Sequence, residues 1–300
     1  MTDLDEKEAQ EYIRQQVIDY YTAAASDYKS WSRNYNMHFG YWRPGINPFN
    51  REAMLNELNL QVFKRLGISG TQNFKLVDLG GGTGATARSA VASHSNTAVD
   101  VVTIVPRQIS IGNELNKVSS NGHNITMHCT DFTDTHLPSG EYDGAIMIES
   151  ACHAIGPTKE SLLKEAHRLL KPGGTLVMVD AMLLRELPKD GFIARLMAHI
   201  YRRWCTSWAV PEMCRVDLVS SSLVKQGFST PKIEDWSWNV TPSVAHVPLF
   251  ASYFTITEII KARGKLPTWR WRHIVASFLT PLLGLRRCTF TYSAIISKKQ

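Results

Sequence analysis

The sequence predicts an α/β protein, a doubly wound and mostly parallel sheet of seven strands with a helical lid at its N-terminus and a helical cap inserted after the fifth strand. Three observations predict it. Apolar runs of strand length alternate with segments of helical period between residues 75 and 180, and that alternation builds a parallel sheet through right-handed crossovers. The first run, KLVDL at 75–79, breaks into Gly80-Gly81-Gly82, then Thr83-Gly84 and a small-residue helix. Finally, the rhythm lapses at 182–215, a stretch holding Phe192, Tyr201, Trp204, Trp208 and Met213 with several basic residues, and resumes after it.

Each element has its own reason. Residues 5–29 read as a helix because Ile13, Val17, Tyr20 and Tyr21 recur at helical spacing. The run 31–42, WSRNYNMHFGYW, is aromatic and polar without a period and ends on the turn signal Pro44-Gly45, so it reads as a loop or lid. Residues 51–66 put Leu55, Leu58, Val62 and Leu66 on one face, and Gly67 stops the helix. Strands follow at 75–79, 97–104, 125–129, 142–148 and 175–180. Helices at 83–93, 107–119 (Ile111, Leu115, Val118) and 158–170 separate them, the last closing on the turn LKPGG at 170–174. One or two helices are expected within 182–215. Then come a helix at 216–226 ending at Gly227, a strand at 232–238, a helix at 249–262 and a last strand near 289–297.

Composition narrows the class. The 300 residues are 44% hydrophobic and 20% charged, globular values for one large domain or one with an elaborated cap. No apolar run reaches the roughly 18–20 residues that span a bilayer. The acidic, polar start MTDLDEKEAQ reads as neither signal nor transit peptide. The five cysteines (Cys129, Cys152, Cys205, Cys214, Cys288) are odd in number and without a CxxC pair. They read as reduced thiols of a cytoplasmic protein, with no metal site. The net charge of +6 gathers toward the end, at Lys261, Arg263, Lys265, Arg270, Arg272, Arg286, Arg287, Lys298 and Lys299.

Residues 80–84 form a binding loop. Glycines let the chain take positive φ and let a ligand approach bare backbone, and a new helix offers unpaired N–H groups to an anion. A dinucleotide and S-adenosylmethionine both fit such a unit. The dinucleotide fingerprint is GxGxxG with an acid about twenty residues on. Here Gly80, Gly82 and Gly84 are spaced GxGxG, and the later position is Thr103. The glycines leave both ligands open; the surrounding residues decide.

VDLGGGTG, followed by VTIVPRQ, CTDF, IESACHA and LKPGG, resembles the Rossmann-like class I S-adenosylmethionine-dependent methyltransferases. The branch it looks most like holds tocopherol, sarcosine and coclaurine methyltransferases, cyclopropane fatty acid synthases and geranyl diphosphate C-methyltransferase. The resemblance covers roughly residues 35–180 well and 216–240 and the last strand loosely. It implies S-adenosyl-L-methionine as cofactor and a division into an N-terminal lid (1–70), a cofactor-binding core (71–181), a substrate cap (182–215) and a C-terminal part of the sheet (216–300).

Carried over residue by residue, the resemblance makes Asp78 the partner of the ligand's α-ammonium group. The amides around Gly80, Gly82 and Gly84 then face its carboxylate. Thr103 stands where many relatives have a ribose-binding acid, a departure shared by the TIxPxQ pattern, and Gln108 contacts the ribose region. Asp131 and Phe132 match the adenine site. Tyr20, Tyr28, His38, Gly40 and Tyr41 resemble the YxxxxxxxY and HFGYW elements that cover the cofactor, where aromatic faces suit a sulfonium cation.

Methyl transfer needs a nucleophile held in line with the departing sulfur, water kept out, and a base if the nucleophile must lose a proton. Glu149 and His153 of IESACHA are four apart and share a face on a helical turn. Relatives with E-x-x-x-H turn both toward the substrate, which makes this pair the candidate catalytic residues. The lid has no cysteine, which argues against cyclopropanation. Trp204 and Trp208 of the cap, with Trp236, His246 and Phe250, are expected to line a pocket for a small hydrophobic or aromatic acceptor. The tail 268–287 places apolar residues between basic flanks. It is open to three roles: a helix packed on the sheet, a peripheral membrane contact, or a diphosphate grip. Nucleic acid is not an expected partner, since the basic residues lie away from the presumed mouth and no NPPY-type signature is present. These features together predict transfer of a methyl group to a small hydrophobic metabolite. The alternatives are a membrane-peripheral lipid, quinone or prenyl diphosphate methyltransferase and a non-catalytic cofactor-binding module.

Overall fold

A computed structural model describes residues 3–69, 72–187, 190–261 and 268–300. Arg263 and Lys265 lie outside the described residues, as do the side chains of Lys261, Arg270 and Arg272. Two helices precede the sheet: α1 (Asp3–Trp31) and α2 (Arg51–Leu66). The alternating region follows as β1 (Phe74–Leu79), α3 (Ala85–Ser93), β2 (Thr97–Thr103), α4 (Pro106–Lys117), β3 (Ile125–Cys129), β4 (Tyr142–Ile148), α5 (Glu160–Leu169) and β5 (Leu170–Leu183). The remainder is α6 (Phe192–Ser207), β6 (Cys214–Arg215), α7 (Val216–Lys225), β7 (Lys232–Asp235), α8 (Ser237–Lys261), α9 (Thr268–Gly284) and β8 (Phe290–Lys298).

The sheet runs β3-β2-β1-β4-β5-β8-β7, and the two-residue β6 pairs with the end of β5. Strands β1 to β5 are parallel; β8 is antiparallel to both β5 and β7. From β1 the chain winds outward through β2 and β3, then returns to place β4 on the other side of β1. The carboxyl ends of β1 and β4 therefore flank the switch point, where ligands bind in such sheets. One face of the sheet buries Leu58, Val62 and Phe63 of α2 and Ala87 and Val91 of α3. The other buries Leu162 and Leu169 of α5 and Val219 and Leu223 of α7.

Local signals set α2 to the residue. Asn50 caps its start, its side chain accepting from the Ala53 N–H, and Gly67 ends it at φ 74°. Elsewhere the structure departs from the periodicity. β5 begins at Leu170 rather than after LKPGG; its pairing with β4 shifts register there, so the turn runs into the strand as a bulge. β7 stops at Asp235, and α8 starts at Ser237 and continues through Pro242 and Pro248. A proline removes one N–H donor from the helix ladder, so the sequence reads as broken where the helix persists. The insert supplies one helix, α6, which packs on α9, and α9 packs on α8. The cap thus draws on the C-terminal segment as well as on 182–215.

Candidate active site

The glycine loop follows directly from β1. Gly80 and Gly82 sit at φ 86° and 57°. A Cβ on Gly80 would lie 2.5 Å from the Ser150 Cβ, and one on Gly82 would lie 2.8 Å from the Met37 sulfur. A Cβ on Gly81 would overlap the Asp78 carboxylate. All three glycines are therefore demanded by close approach. The Ser150 hydroxyl also donates to the Leu79 carbonyl (2.6 Å), tying the ends of β4 and β1 together. The loop amides are mostly spent internally: Gly80 and Gly81 donate to the Val102 carbonyl and Gly84 to that of Gly81. Among the described residues only the Gly82 amide of these four has no acceptor, so the expected row of amides facing a carboxylate reduces to that position. Gly84 does not line the cleft.

Asp78 is 2% exposed, and its Oδ2 has no hydrogen-bond partner. Burial raises its carboxyl from the usual 3.8 to about 7. An unpartnered buried carboxylate beside a glycine cradle fits the ammonium group of an amino-acid ligand.

A cleft of about 1230 Å³ opens from this point, lined by Gly80, Gly81, Gly82, Thr103, Gln108, Asp131 and Phe132. The Thr103 hydroxyl donates to Gln108 Oε1 (2.6 Å) and fixes that amide. Asp131 Oδ1 accepts from the N–H and hydroxyl of Thr133. Its Oδ2 meets Arg14 Nε of α1 at 2.6 Å. Helix α1 roofs the cleft with Gln10, Ile13, Arg14, Val17 and Tyr21, one face at helical spacing.

A second cavity of about 810 Å³ lies on the far side of Met37, His38 and Glu149, which line both. Its walls are Trp31, Phe39, Trp208, Val247, Phe250, Ala251 and Ile274, with Tyr20, Asp27, Tyr28 and Ser277 as polar groups. Tyr20 and Tyr28, expected over the cofactor, thus face this cavity.

Glu149 stands at the junction. Its backbone is left-handed, φ 50°, a strained state for a residue with a side chain. Its N–H donates to the Val179 carbonyl (2.8 Å). Its Oε1 accepts from the Phe39 N–H (2.7 Å) and the Tyr292 hydroxyl (2.6 Å); Oε2 has no donor among the described residues. Burial raises the carboxyl to about 8, against the pull of the two hydrogen bonds. The expected shared helical face with His153 is not formed, because the left-handed turn at Glu149 precedes a 3-10 turn at Ala151–His153. Both residues nevertheless line the first cleft. His153 donates from Nδ1 to the Ala209 carbonyl (3.1 Å). Its Nε2 then accepts from the Tyr21 hydroxyl (2.9 Å). Burial lowers it to about 4, so it is neutral at pH 7. Asp180 of β5 holds the same turn by accepting from the Cys152 N–H (3.0 Å).

Several expected site residues lie elsewhere. Gly40 lines neither cavity; a Cβ there would strike Met54 of α2, and its N–H donates to Ser243 Oγ. Tyr41 packs edge-on against Trp236 in the core, so Tyr41 does not line the cofactor cleft and Trp236 does not line an acceptor wall. Trp204 is buried between α6 and α9, donating to Thr280 Oγ1 (2.9 Å). His246 points to the Pro48 carbonyl on the outside. Of the five proposed pocket residues only Trp208 and Phe250 line the second cavity. Tyr292, Arg14, Tyr21 and Met37 were not anticipated as site residues. The face carrying Arg14 and Tyr21 was legible in the helical period; the reach of Tyr292 to a residue 143 positions away was not. Among the described residues no group of three or more His, Cys, Asp or Glu could hold a metal.

Residues 76–174 match a family model described as a methyltransferase domain. The chain is 26% identical over 207 residues to an O-methyltransferase of Pyrenophora dematioidea, covering 69% of this chain and 73% of that one. It is 22% identical over 241 residues to the chloroplastic tocopherol O-methyltransferase of Arabidopsis thaliana, covering 77% and 68%. A cyclopropane synthase from Mycobacterium tuberculosis superposes with a TM-score of 0.74 over 95% of this chain and 98% of that one at 14% identity, a likeness of fold. With a glycine cradle beside an unpartnered carboxylate at the switch point of the sheet and a methyltransferase domain over residues 76–174, the chain is an S-adenosylmethionine-dependent methyltransferase.

Proposed function

We propose that the enzyme methylates a small, largely apolar metabolite bound in the second cavity, with Glu149 as the base that takes the acceptor's proton. The observation that carries this reading is the meeting of the two cavities at Glu149. In this reading Asp78 holds the α-ammonium of S-adenosylmethionine, the Gly82 amide faces its carboxylate, Gln108 contacts the ribose and Phe132 packs on the adenine. Bound there, the cofactor supplies an electrophilic methyl group on a sulfonium.

The chain's own residues do the rest. Tyr292 and the Phe39 amide hold Oε1, which leaves Oε2 to accept a proton from a hydroxyl or amine in the second cavity. A carboxyl near pH 8 is closer in affinity to a phenol or an ammonium than an ordinary glutamate is, which favours transfer. Neutral His153 braces Tyr21 and fills the cleft wall without competing for the proton. The aromatic walls exclude water and select apolar acceptors. The fungal and plant O-methyltransferase relatives support a hydroxyl acceptor, and the sterol C-methyltransferase relatives, which match a shorter part of the chain, support a carbon acceptor.

Residues 1–70 act as the lid, 71–181 as the cofactor core, and 182–215 with α8 and α9 as the acceptor cap. The test is Glu149→Gln. Calorimetry with S-adenosylhomocysteine should show unchanged binding, and transfer of a labelled methyl group to a panel of phenols and amines should fall by about a hundredfold or more. Unchanged transfer removes Glu149 from the chemistry. A panel in which even the unaltered enzyme methylates nothing, while still binding the product, favours the non-catalytic alternative.

A further inference from the structure

We propose that the outer face of α6 and α9 is a docking surface for an anionic lipid bilayer. Helix α6 exposes Phe192, Ile193 and Leu196, α9 exposes Phe278 and Leu282, and Leu285 follows directly after α9; Phe192 and Leu285 are 79% and 77% accessible. Phe192, Ile193, Leu196 and Leu285 lie at one end of an antiparallel pair, with Phe278 toward its other end. Trp204 of α6 donates to Thr280 of α9, Met197 and Leu283 share one core cluster, and the Leu184 N–H ahead of α6 donates to the Thr289 carbonyl beyond α9. An exposed apolar area of this breadth marks an interface.

Charge selects the occupant. Neither helix contains an Asp or Glu. Arg195, Arg202 and Arg203 on α6 are exposed and form no ion pair among the described residues. The acids nearest in sequence, Glu186 and Asp190, lie in the segment ahead of α6, and Arg287 beyond α9 is tied to Asp235. An apolar patch rimmed by unpaired arginines suits an anionic interface. In a twofold dimer through this face the same arginines would confront their own copies, which disfavours a second copy of the chain. No helix among the described residues is long and apolar enough to cross a membrane, so the contact is peripheral. The inner side of the same helix lines the second cavity at Ile274 and Ser277, next to exposed Phe278. A bilayer on this face would therefore sit one helix away from the acceptor site. This inference does not depend on the role of Glu149.

The test uses the full chain with sedimenting vesicles of phosphatidylcholine alone or mixed with phosphatidylglycerol. The expected result is co-sedimentation with the anionic vesicles only, weakened by salt. Phe192→Glu with Leu285→Glu should lower partitioning at least about tenfold, and Arg202→Glu with Arg203→Glu should lower it and remove its salt dependence. Unchanged S-adenosylhomocysteine binding by calorimetry verifies that these variants fold. Failure of the unaltered protein to sediment, or variants that sediment equally well, overturns the proposal. A solution dimer broken by the same variants, without vesicle binding, assigns the face to a second copy instead.

Discussion

Arg14 Nε of α1 lies 2.6 Å from Asp131 Oδ2, after β3, so this ion pair closes the roof helix onto the edge of the cofactor cleft. The pair is partly exposed, with side-chain accessibilities of 39% and 24%, and such pairs contribute at most about 1 kcal/mol. Arg14→Ala should therefore speed release of S-adenosylhomocysteine up to about fivefold and leave the melting temperature nearly unchanged. Stopped-flow release of a fluorescent cofactor analogue checks it.

Tyr292 should govern the pH at which Glu149 works. Burial raises the Glu149 carboxyl to about 8, and the Tyr292 hydroxyl favours the charged form. Activity at saturating substrate is expected to rise with pH through the neutral-to-alkaline range as Glu149 loses its proton. Tyr292→Phe removes a stabilising donor, so that limb should move to higher pH by about a unit. A kcat–pH profile decides; an unshifted limb separates Tyr292 from the base.

Asp78 makes both stability and cofactor affinity depend on pH. Burial lifts its carboxyl to about 7 from 3.8. The sign follows from linkage: the folded state without ligand holds this proton more tightly than the unfolded chain. The stability from Asp78 is therefore complete below about pH 4 and is lost as pH rises toward 7. An ammonium partner reverses the preference, so S-adenosylmethionine should stabilise the fold more at pH 8 than at pH 6. Asp78→Ala should weaken its binding by roughly a hundredfold. Thermal melts with and without cofactor across that range measure both effects.

Two glycines should separate packing from ligand contact. Gly40→Ala drives a methyl group into Met54, 2.5 Å away, and is expected to lower stability by about 1–3 kcal/mol while sparing cofactor affinity in the folded fraction. Gly81→Ala pushes against the Asp78 carboxylate and should weaken cofactor binding well beyond its effect on stability. Denaturant melts paired with calorimetry distinguish the two.

Phe250 is a wall of the second cavity. Phe250→Ala should raise the acceptor KM by about tenfold or more through lost apolar contact, with the cofactor KM unchanged. Initial-rate kinetics in both substrates reads this directly.

The sequence by itself determined that the sheet is mostly parallel, the boundaries of α2 and the glycine loop at the end of the first strand. Each of these follows from short-range rules: a period, a cap, a spacing of glycines at a strand end. Tertiary structure alone decided the rest. Residues 239–248 carry no expected element, yet α8 runs through them and through Pro242 and Pro248 despite the two missing donors. Trp204 and Trp236 looked like pocket walls, yet both are buried away from the cavities, since a tryptophan's composition says nothing about the direction it faces. Tyr292 sits in a strand whose local pattern is ordinary, and β8, antiparallel beside β5, carries its hydroxyl to Glu149. The surroundings proposed to make Glu149 a base come together only when the sheet closes.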